Sequence, residues 1–137
     1  TPDMFQEVYD VFEKENAVDS AMFKTNKMPA KDLIKWFAEL IEDGRKLPVF
    51  CPMIYSNTVR AEAIAFRGLS SMLETSLDHN KETLTYILSE CGIRSMCLTA
   101  LNLDRENFDF YQKLKDVGYT AIMTDRTVQL KEFIHGK

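Results

Sequence analysis

The sequence predicts an α/β protein with a parallel sheet, because five short apolar segments alternate with amphipathic helical patterns. Its 137 residues are about the length of one domain, and 45% of them are hydrophobic, which is enough to form a core. The last apolar segment, Thr120 to Met123, lies between Gly118-Tyr119 and Thr124-Asp125-Arg126. A segment this apolar is typical of a strand buried on both faces of a parallel sheet. We therefore predict a single α/β domain over residues 1–137.

Six amphipathic segments are predicted to be helices. They run from Pro2 to Asn16, from Pro29 to Gly44, from Asn57 to Phe66, from Asp78 or Asn80 to Cys91, from Asp104 to Gly118 and onward from Thr127. In the first of them, Met4, Val8 and Val11 recur at helical spacing. Side chains that can cap a helix N-terminus begin several of these segments, and we assign that role to Asn57, to Asp78 or Asn80, to Asp104 and to Thr127.

Five strands are predicted between these helices. They run from Ala17 to Thr25, from Leu47 to Tyr55, from Leu69 to Thr75, from Ile93 to Leu101 and from Thr120 to Thr124. Pro52 predicts an irregularity in the second strand, because proline cannot donate to a sheet ladder. The resulting α(βα)₅ order fits two architectures. One is part of a TIM-type (βα)₈ barrel, and the other is a five-stranded, doubly wound, flavodoxin-like sheet.

Composition argues against two classes of partner. The net charge is -4 and the acidic and basic residues are interleaved, so we expect no nucleic-acid partner. No apolar segment approaches the ~20 residues that a membrane-spanning helix needs, so we expect no membrane span. The chain begins with Thr1-Pro2-Asp3, without an initiator Met or a signal peptide, and we expect it to be processed or excised from a longer protein.

The three cysteines, Cys51, Cys91 and Cys97, are an odd number and have no CxxC spacing. We interpret them as small buried hydrophobic residues. Unpaired cysteines favour a reducing compartment, and hence the cytoplasm.

Polar residues cluster where the predicted strands end, which is the edge where parallel α/β proteins bind their ligands. Lys24, Glu74, Thr99 and Asp125 form this predicted strand-end polar rim. They could surround a phosphate or a divalent cation, or they could cap helices and pair with one another. The sequence has no GxSxG, GxGxxG or GxxxxGK[ST] motif, and we assign no catalytic residue.

The C-terminal third resembles the last two βα units of glycerophosphodiester phosphodiesterases. The similarity lies in Ile93 to Thr99, in the helix that ends at Asp116-Val117-Gly118, and in Ala121 to Arg126. Upstream, Thr1 to Val8 is similar to a helix of that family, and Ala21 to Thr25 to its strand with a Glu-x-Lys pattern. The resemblance covers nearly the whole chain and places it on strands four to eight of the barrel.

This resemblance implies a C-terminal α(βα)₅ portion of a TIM-type barrel, in a family that hydrolyses glycerophosphodiesters with Ca²⁺ or Mg²⁺. Lys24 then stands where the family binds substrate phosphate. The family's catalytic His pair and first metal ligands lie on strands outside this sequence. Met22 stands where a further ligand, a Glu, is expected, and a thioether is a poor ligand for a hard cation.

Three hypotheses follow. The first is the C-terminal portion of such a phosphodiesterase, inactive as this chain alone and degenerate at Met22, completed by another chain or by an N-terminal half. Its ligand, once complete, is a small-molecule phosphodiester. The second is a non-enzymatic binding or structural module on the same scaffold, and the third is a stand-alone flavodoxin-like regulatory domain. A half barrel predicts that strands adjacent in sequence are adjacent in the sheet.

Overall fold

The computed structural model of the chain describes residues 2–76, 79–98 and 106–136. Its helices are α1 (Pro2–Lys14), α2 (Ala30–Glu42), α3 (Val59–Ala65), α4 (Lys81–Cys91), α5 (Phe108–Val117) and α6 (Thr127–His135). Its strands are β1 (Met22–Thr25), β2 (Val49–Pro52), β3 (Met72–Thr75), β4 (Arg94–Leu98) and β5 (Ala121–Met123). The predicted α/β class is confirmed. Within the described residues, no helix combines the length and the apolar composition that a membrane crossing requires.

All pairs of neighbouring strands are parallel, and their order follows the chain. β1 pairs with β2, and β3, β4 and β5 form a second sheet in that order. An isolated parallel bridge between Met53 and Glu74 connects the two sheets. There, the Ile54 N–H donates to the Glu74 carbonyl oxygen at 2.8 Å, and the Met53 N–H donates to the Thr25 carbonyl oxygen at 3.0 Å. β1 therefore lies at one edge of the series and β5 at the other.

One face of the strands forms the hydrophobic core with the helices. Strand residues Phe23, Phe50, Leu73 and Cys97 belong to the same buried cluster as helix residues Tyr9, Leu33, Trp36, Leu84, Ile87 and Leu114. Aromatic contacts are concentrated at the N-terminal end of the chain. The ring centroids of Phe23 and Trp36 are 6.1 Å apart, for example, and those of Phe50 and Phe66 are 6.3 Å apart.

The opposite face of the strands carries methionine on every strand or its extension. Alternation along the strands and the observed register place Met22, Met53, Met72, Met96 and Met123 on this face, together with Lys24 and Glu74. These methionines lie outside the core cluster, and Met22 is 42% exposed. Helices thus pack against one side of the parallel strands, and flexible thioether side chains line the other.

Two strand predictions need correction. The segment from Ala17 to Thr25 is not one strand, because a 3-10 turn at Val18–Ser20 precedes β1. This turn is stabilised by a hydrogen bond from the Ser20 N–H to the Ala17 carbonyl oxygen at 3.0 Å. β5 is not buried on both faces, since each of its residues is only partly buried. It is an edge strand whose outer side has no neighbouring strand among the described residues.

Three of the predicted helix caps differ from the structure. α3 begins after Thr58 rather than at Asn57, and α6 begins after Arg126, so that Thr127 is its first residue and not its cap. α5 begins after Asn107, whose Oδ1 accepts a hydrogen bond from the Phe110 N–H at 2.8 Å. Asp104, the predicted cap, lies outside the described residues, and so does Asp78. At α4 the cap is Asn80, one of the two residues predicted for it.

Candidate functional site

Lys24 and Glu74 form an ion pair where β1 and β3 end. The Lys24 Nζ lies 2.6 Å from Glu74 Oε2. The Glu74 side chain is 1% exposed, whereas the Lys24 side chain is 24% exposed. β2 lies between the two strands, and its Met53 extension pairs with Glu74, which brings the two side chains to the same face. The ammonium therefore faces solvent and the carboxylate lies beneath it.

Tyr55 completes the contacts of the buried carboxylate. Its hydroxyl donates to Glu74 Oε1, while Lys24 donates to Oε2. Burial, together with the Glu74 carboxylate, raises the pKa of Tyr55 well above its usual value, so the phenol stays protonated and keeps donating. Tyr55 is also 38% exposed, so part of the ring remains accessible. We name Lys24, Glu74 and Tyr55 the strand-end triad.

The sulfur groups around the triad are not nucleophiles. Cys51 is fully buried opposite Lys24 in the β1–β2 register, and burial, followed by the nearby Glu74 charge, raises the pKa of its thiol to about 12. The thiolate that attacks an electrophile is therefore strongly disfavoured. Met123 contributes a weak acceptor, with its Sδ 3.6 Å from the Lys24 Nζ. All three cysteines are buried, as predicted, while the cytoplasmic location stays a prediction.

The described residues of this site do not fit a Ca²⁺ or Mg²⁺ ion. These cations need several oxygen ligands. Both carboxylate oxygens of Glu74 already accept hydrogen bonds, and Met22, on the same face as Lys24, offers only sulfur. Within residues 2–76, 79–98 and 106–136, no group of three His, Cys, Asp or Glu side chains is placed to hold a metal ion.

The predicted polar rim is only partly assembled in the structure. Lys24 and Glu74 are in contact, as the hypothesis of mutual pairing required. Asp125 is exposed in the segment after β5 and makes no hydrogen bond or ion pair with either of them. Thr99 lies outside the described residues. Tyr55 was predicted as the last residue of the second strand and is not one of the four predicted rim residues.

A second buried carboxylate, Glu106, was missed by sequence reasoning. It is 2% exposed and accepts a hydrogen bond from the Tyr111 hydroxyl at 2.8 Å and another from the Thr124 hydroxyl. Its backbone oxygen accepts from Arg126 at 3.2 Å and from Gln129 at 3.3 Å. Glu106 thus connects α5 with the end of β5 and the start of α6. An acidic residue in a polar, loop-like segment gives no sequence signal for burial.

An apolar cleft adjoins the strand ends on the helix side. It has a volume of about 400 Å³ and is lined in part by Met28, Ile54 and Phe66. Two further residues line it: Thr25, which follows Lys24 in the chain, and Met53, which forms the bridge with Glu74. Lys24 lies on the opposite face of the strands and is not among the residues that line this cleft.

Comparison with known proteins does not indicate a function for this site. No protein-family model matches the sequence, and no curated protein matches it significantly. The function therefore has to be argued from the strand-end triad and from the order of the strands.

Proposed function

We propose that this chain is the C-terminal portion of a TIM-type barrel of the glycerophosphodiester phosphodiesterase type, and that it supplies a phosphate-binding lysine without the groups for hydrolysis. One observation carries the proposal. The Lys24 ammonium is held at the end of a parallel strand by a buried carboxylate, with its outer side open to solvent. Ligands of parallel α/β proteins bind at this end of the strands.

The arrangement of strands supports a barrel portion over a flavodoxin-like sheet. In a doubly wound sheet of that type, the first strand is central and helices cover both faces. Here β1 is an edge strand, each strand neighbours the next one in sequence, and the core cluster lies on one face. Two edge strands, β1 and β5, have no further strand beside them among the described residues, and this also supports the proposal that another chain, or an N-terminal half, completes the barrel.

The chemistry of the triad suits binding of a phosphoryl group. A lysine ammonium has three hydrogens, of which Glu74 accepts one, and Met123 Sδ is near enough to accept a second. The exposed side of Lys24 leaves a donor for a phosphate oxygen. The proposed ligand is a small glycerophosphodiester.

Hydrolysis of a diester needs a positioned acid, a base or nucleophile, and stabilisation of developing charge. Lys24 contributes only the last of these. Glu74 is paired on both oxygens and excluded from solvent, and Cys51 stays protonated, so neither can attack the ligand. On this proposal, the described residues provide neither the ligands for the family's Ca²⁺ or Mg²⁺ nor its catalytic histidines.

Calorimetric titration with glycerophosphoglycerol tests the proposal. Lys24→Gln should weaken binding by about tenfold or more, because a charged hydrogen bond to phosphate is lost. Lys35→Gln, at an exposed position on α2, is the matched control and should bind like the wild type. Binding that is absent in the wild type, or unchanged in Lys24→Gln, contradicts the proposal.

A non-enzymatic structural module is the second candidate, and Met22 favours it. A thioether at the expected Glu position removes a metal ligand from the scaffold itself, not only from the absent strands. The same titration separates the two candidates, because a purely structural module has no reason to bind a glycerophosphodiester through Lys24.

A further inference from the structure

We infer that Glu74 is a specificity-determining residue that makes the strand-end triad select singly charged phosphodiesters over doubly charged phosphomonoesters. This inference rests on the proposed phosphate binding at Lys24 and goes beyond it by assigning a role to the carboxylate beneath the lysine. Glu74 would not touch the ligand, since it is 0% exposed. It would act through its charge.

The triad carries no net charge. Lys24 contributes one positive charge and Glu74 one negative charge, with 2.6 Å between the ammonium nitrogen and the carboxylate oxygen. The protonated Tyr55 phenol contributes none, and Cys51 is a neutral thiol. The exposed ammonium is therefore the part that a ligand meets first, but the carboxylate behind it offsets its long-range attraction.

Other charges nearby do not restore that attraction. Arg94 is on the same strand face, but it pairs with Met72 at the start of β3. That pair precedes the Glu74–Met96 pair by two residues along each strand. Arg126, at the end of β5, donates to the backbone oxygen of Glu106. Lys27 is exposed in the segment after β1. Among these cations, only Lys24 contacts the buried carboxylate.

The number of charges on the ligand then decides its affinity. A phosphodiester has one negative charge, which a single ammonium hydrogen bond can satisfy. A second negative charge gains little from a neutral triad and is repelled by Glu74, whose burial prevents water and salt from screening it. The monoester also loses more hydration, so it should bind less tightly although it is the stronger anion in water.

The test compares glycerophosphoglycerol with glycerol 3-phosphate at about pH 8, where a monoester with a second pKa near 6 is a dianion. The wild type should bind the diester more tightly. Glu74→Gln keeps the size of the side chain and removes its charge, so the affinity ratio should shift toward the monoester by about tenfold. Glu39→Gln, at an exposed position on α2, changes the net charge equally and should leave the ratio as in the wild type.

The outcomes separate the selectivity from the binding itself. If neither ester binds through Lys24, the proposed function fails. If both bind through Lys24 but the wild type shows no preference for the diester, or Glu74→Gln leaves the ratio unchanged, only the selectivity inference is overturned. If Glu74→Gln does not fold, the affinities of the wild type for dimethyl phosphate and for methyl phosphate are compared instead. A preference for the dimethyl ester supports the role of Glu74, and an equal or opposite preference overturns it.

Discussion

At the scale of single residues, Glu74 is excluded from water yet accepts hydrogen bonds on both carboxylate oxygens. Removing one donor from such a group costs more than a typical hydrogen bond contributes, because the carboxylate cannot turn to solvent instead. The free energy of unfolding should therefore be sensitive to each donor separately. Tyr55 permits the cleaner experiment, because its removal leaves the ion pair intact.

Tyr55→Phe should lower the free energy of unfolding by about 1–3 kcal/mol, since Glu74 Oε1 loses its hydroxyl donor while remaining buried. Urea denaturation measures the change. Tyr86→Phe is the matched control, because the contact of that ring with the Arg60 guanidinium, 4.0 Å from the ring centroid, does not use the hydroxyl. Equal stabilities of the two variants would show that Tyr55 does not satisfy the carboxylate.

The sequence predicted Lys24 and Glu74 as neighbours because both lie at the ends of strands, and those ends meet at one edge of a parallel sheet. It did not predict that Tyr55 would reach the same carboxylate. That contact depends on the bridge between Met53 and Glu74, which carries the chain beyond the end of β2 alongside β3. Sequence periodicity does not predict such a bridge. Glu106 was missed for a different reason, since its burial depends on hydroxyl donors from Tyr111 in α5 and from Thr124 after β5, and the sequence does not show that these meet.

At the scale of elements, the positions of the helices follow from the apolar periodicity, and their starts depend on which nearby polar residue is the cap. The segment before α5 contains both Asp104 and Asn107, and either type of side chain can cap a helix. The structure shows Asn107 in that role. The choice depends on where the helix first packs, as Tyr111, four residues later, is fully buried.

Asn107→Ala should lower the free energy of unfolding by about 1 kcal/mol through loss of the bond from the Phe110 N–H to the asparagine side chain. Asn107→Asp should retain most of that stability, because a carboxylate accepts the same bond and interacts well with the helix N-terminus. Thermal or urea denaturation measures both. Asn57→Ala is the control, since Asn57 is not the cap of α3, and a cost as large there would refute the capping explanation.

At the scale of the whole molecule, Arg45 connects α1 to the segment between α2 and β2. Its guanidinium pairs with Asp10 at 2.5 Å and Glu13 at 2.7 Å and lies 4.7 Å from the centroid of the Tyr9 ring. Hydrogen bonds from Arg45 hold the pKa values of both carboxyls below their usual range. A lowered pKa in the folded state stabilises the fold above the unfolded pKa and ceases to do so as the pH falls through the folded value.

Arg45→Met should therefore destabilise the fold at neutral pH. The difference from the wild type should shrink as the pH falls below about 4 and through the lowered pKa values of the two carboxyls in the folded protein. Denaturation at a series of pH values measures it. Lys46→Met removes the exposed pair with Asp19 and should have a small effect throughout. A difference for Arg45→Met that is constant with pH would assign its role to packing on Tyr9 alone.

The parallel arrangement was predictable, because strict alternation of strands and helices leaves few other topologies. The two different faces of the strands were not predictable. Segments such as Val49 to Pro52 are apolar at consecutive positions, so they do not reveal which side chains meet the helices. Only the register shows that methionines line one face, while Phe23, Phe50, Leu73 and Cys97 lie on the other.

The first and last helices, α1 and α6, limit which elements could complete a closed barrel with this chain. α1 comes before the edge strand β1, and α6 comes after the edge strand β5, so each edge already has a helix on its outer side in the chain order. A complementary piece that closed the ring with alternating elements would need one more strand than helices, beginning and ending with a strand. Two identical copies do not satisfy that rule, because α6 of one copy and α1 of the other would give two helices between one pair of edge strands. On the proposed barrel, we therefore expect the completing piece to differ from this chain, whether it is an N-terminal half of the same protein or another chain.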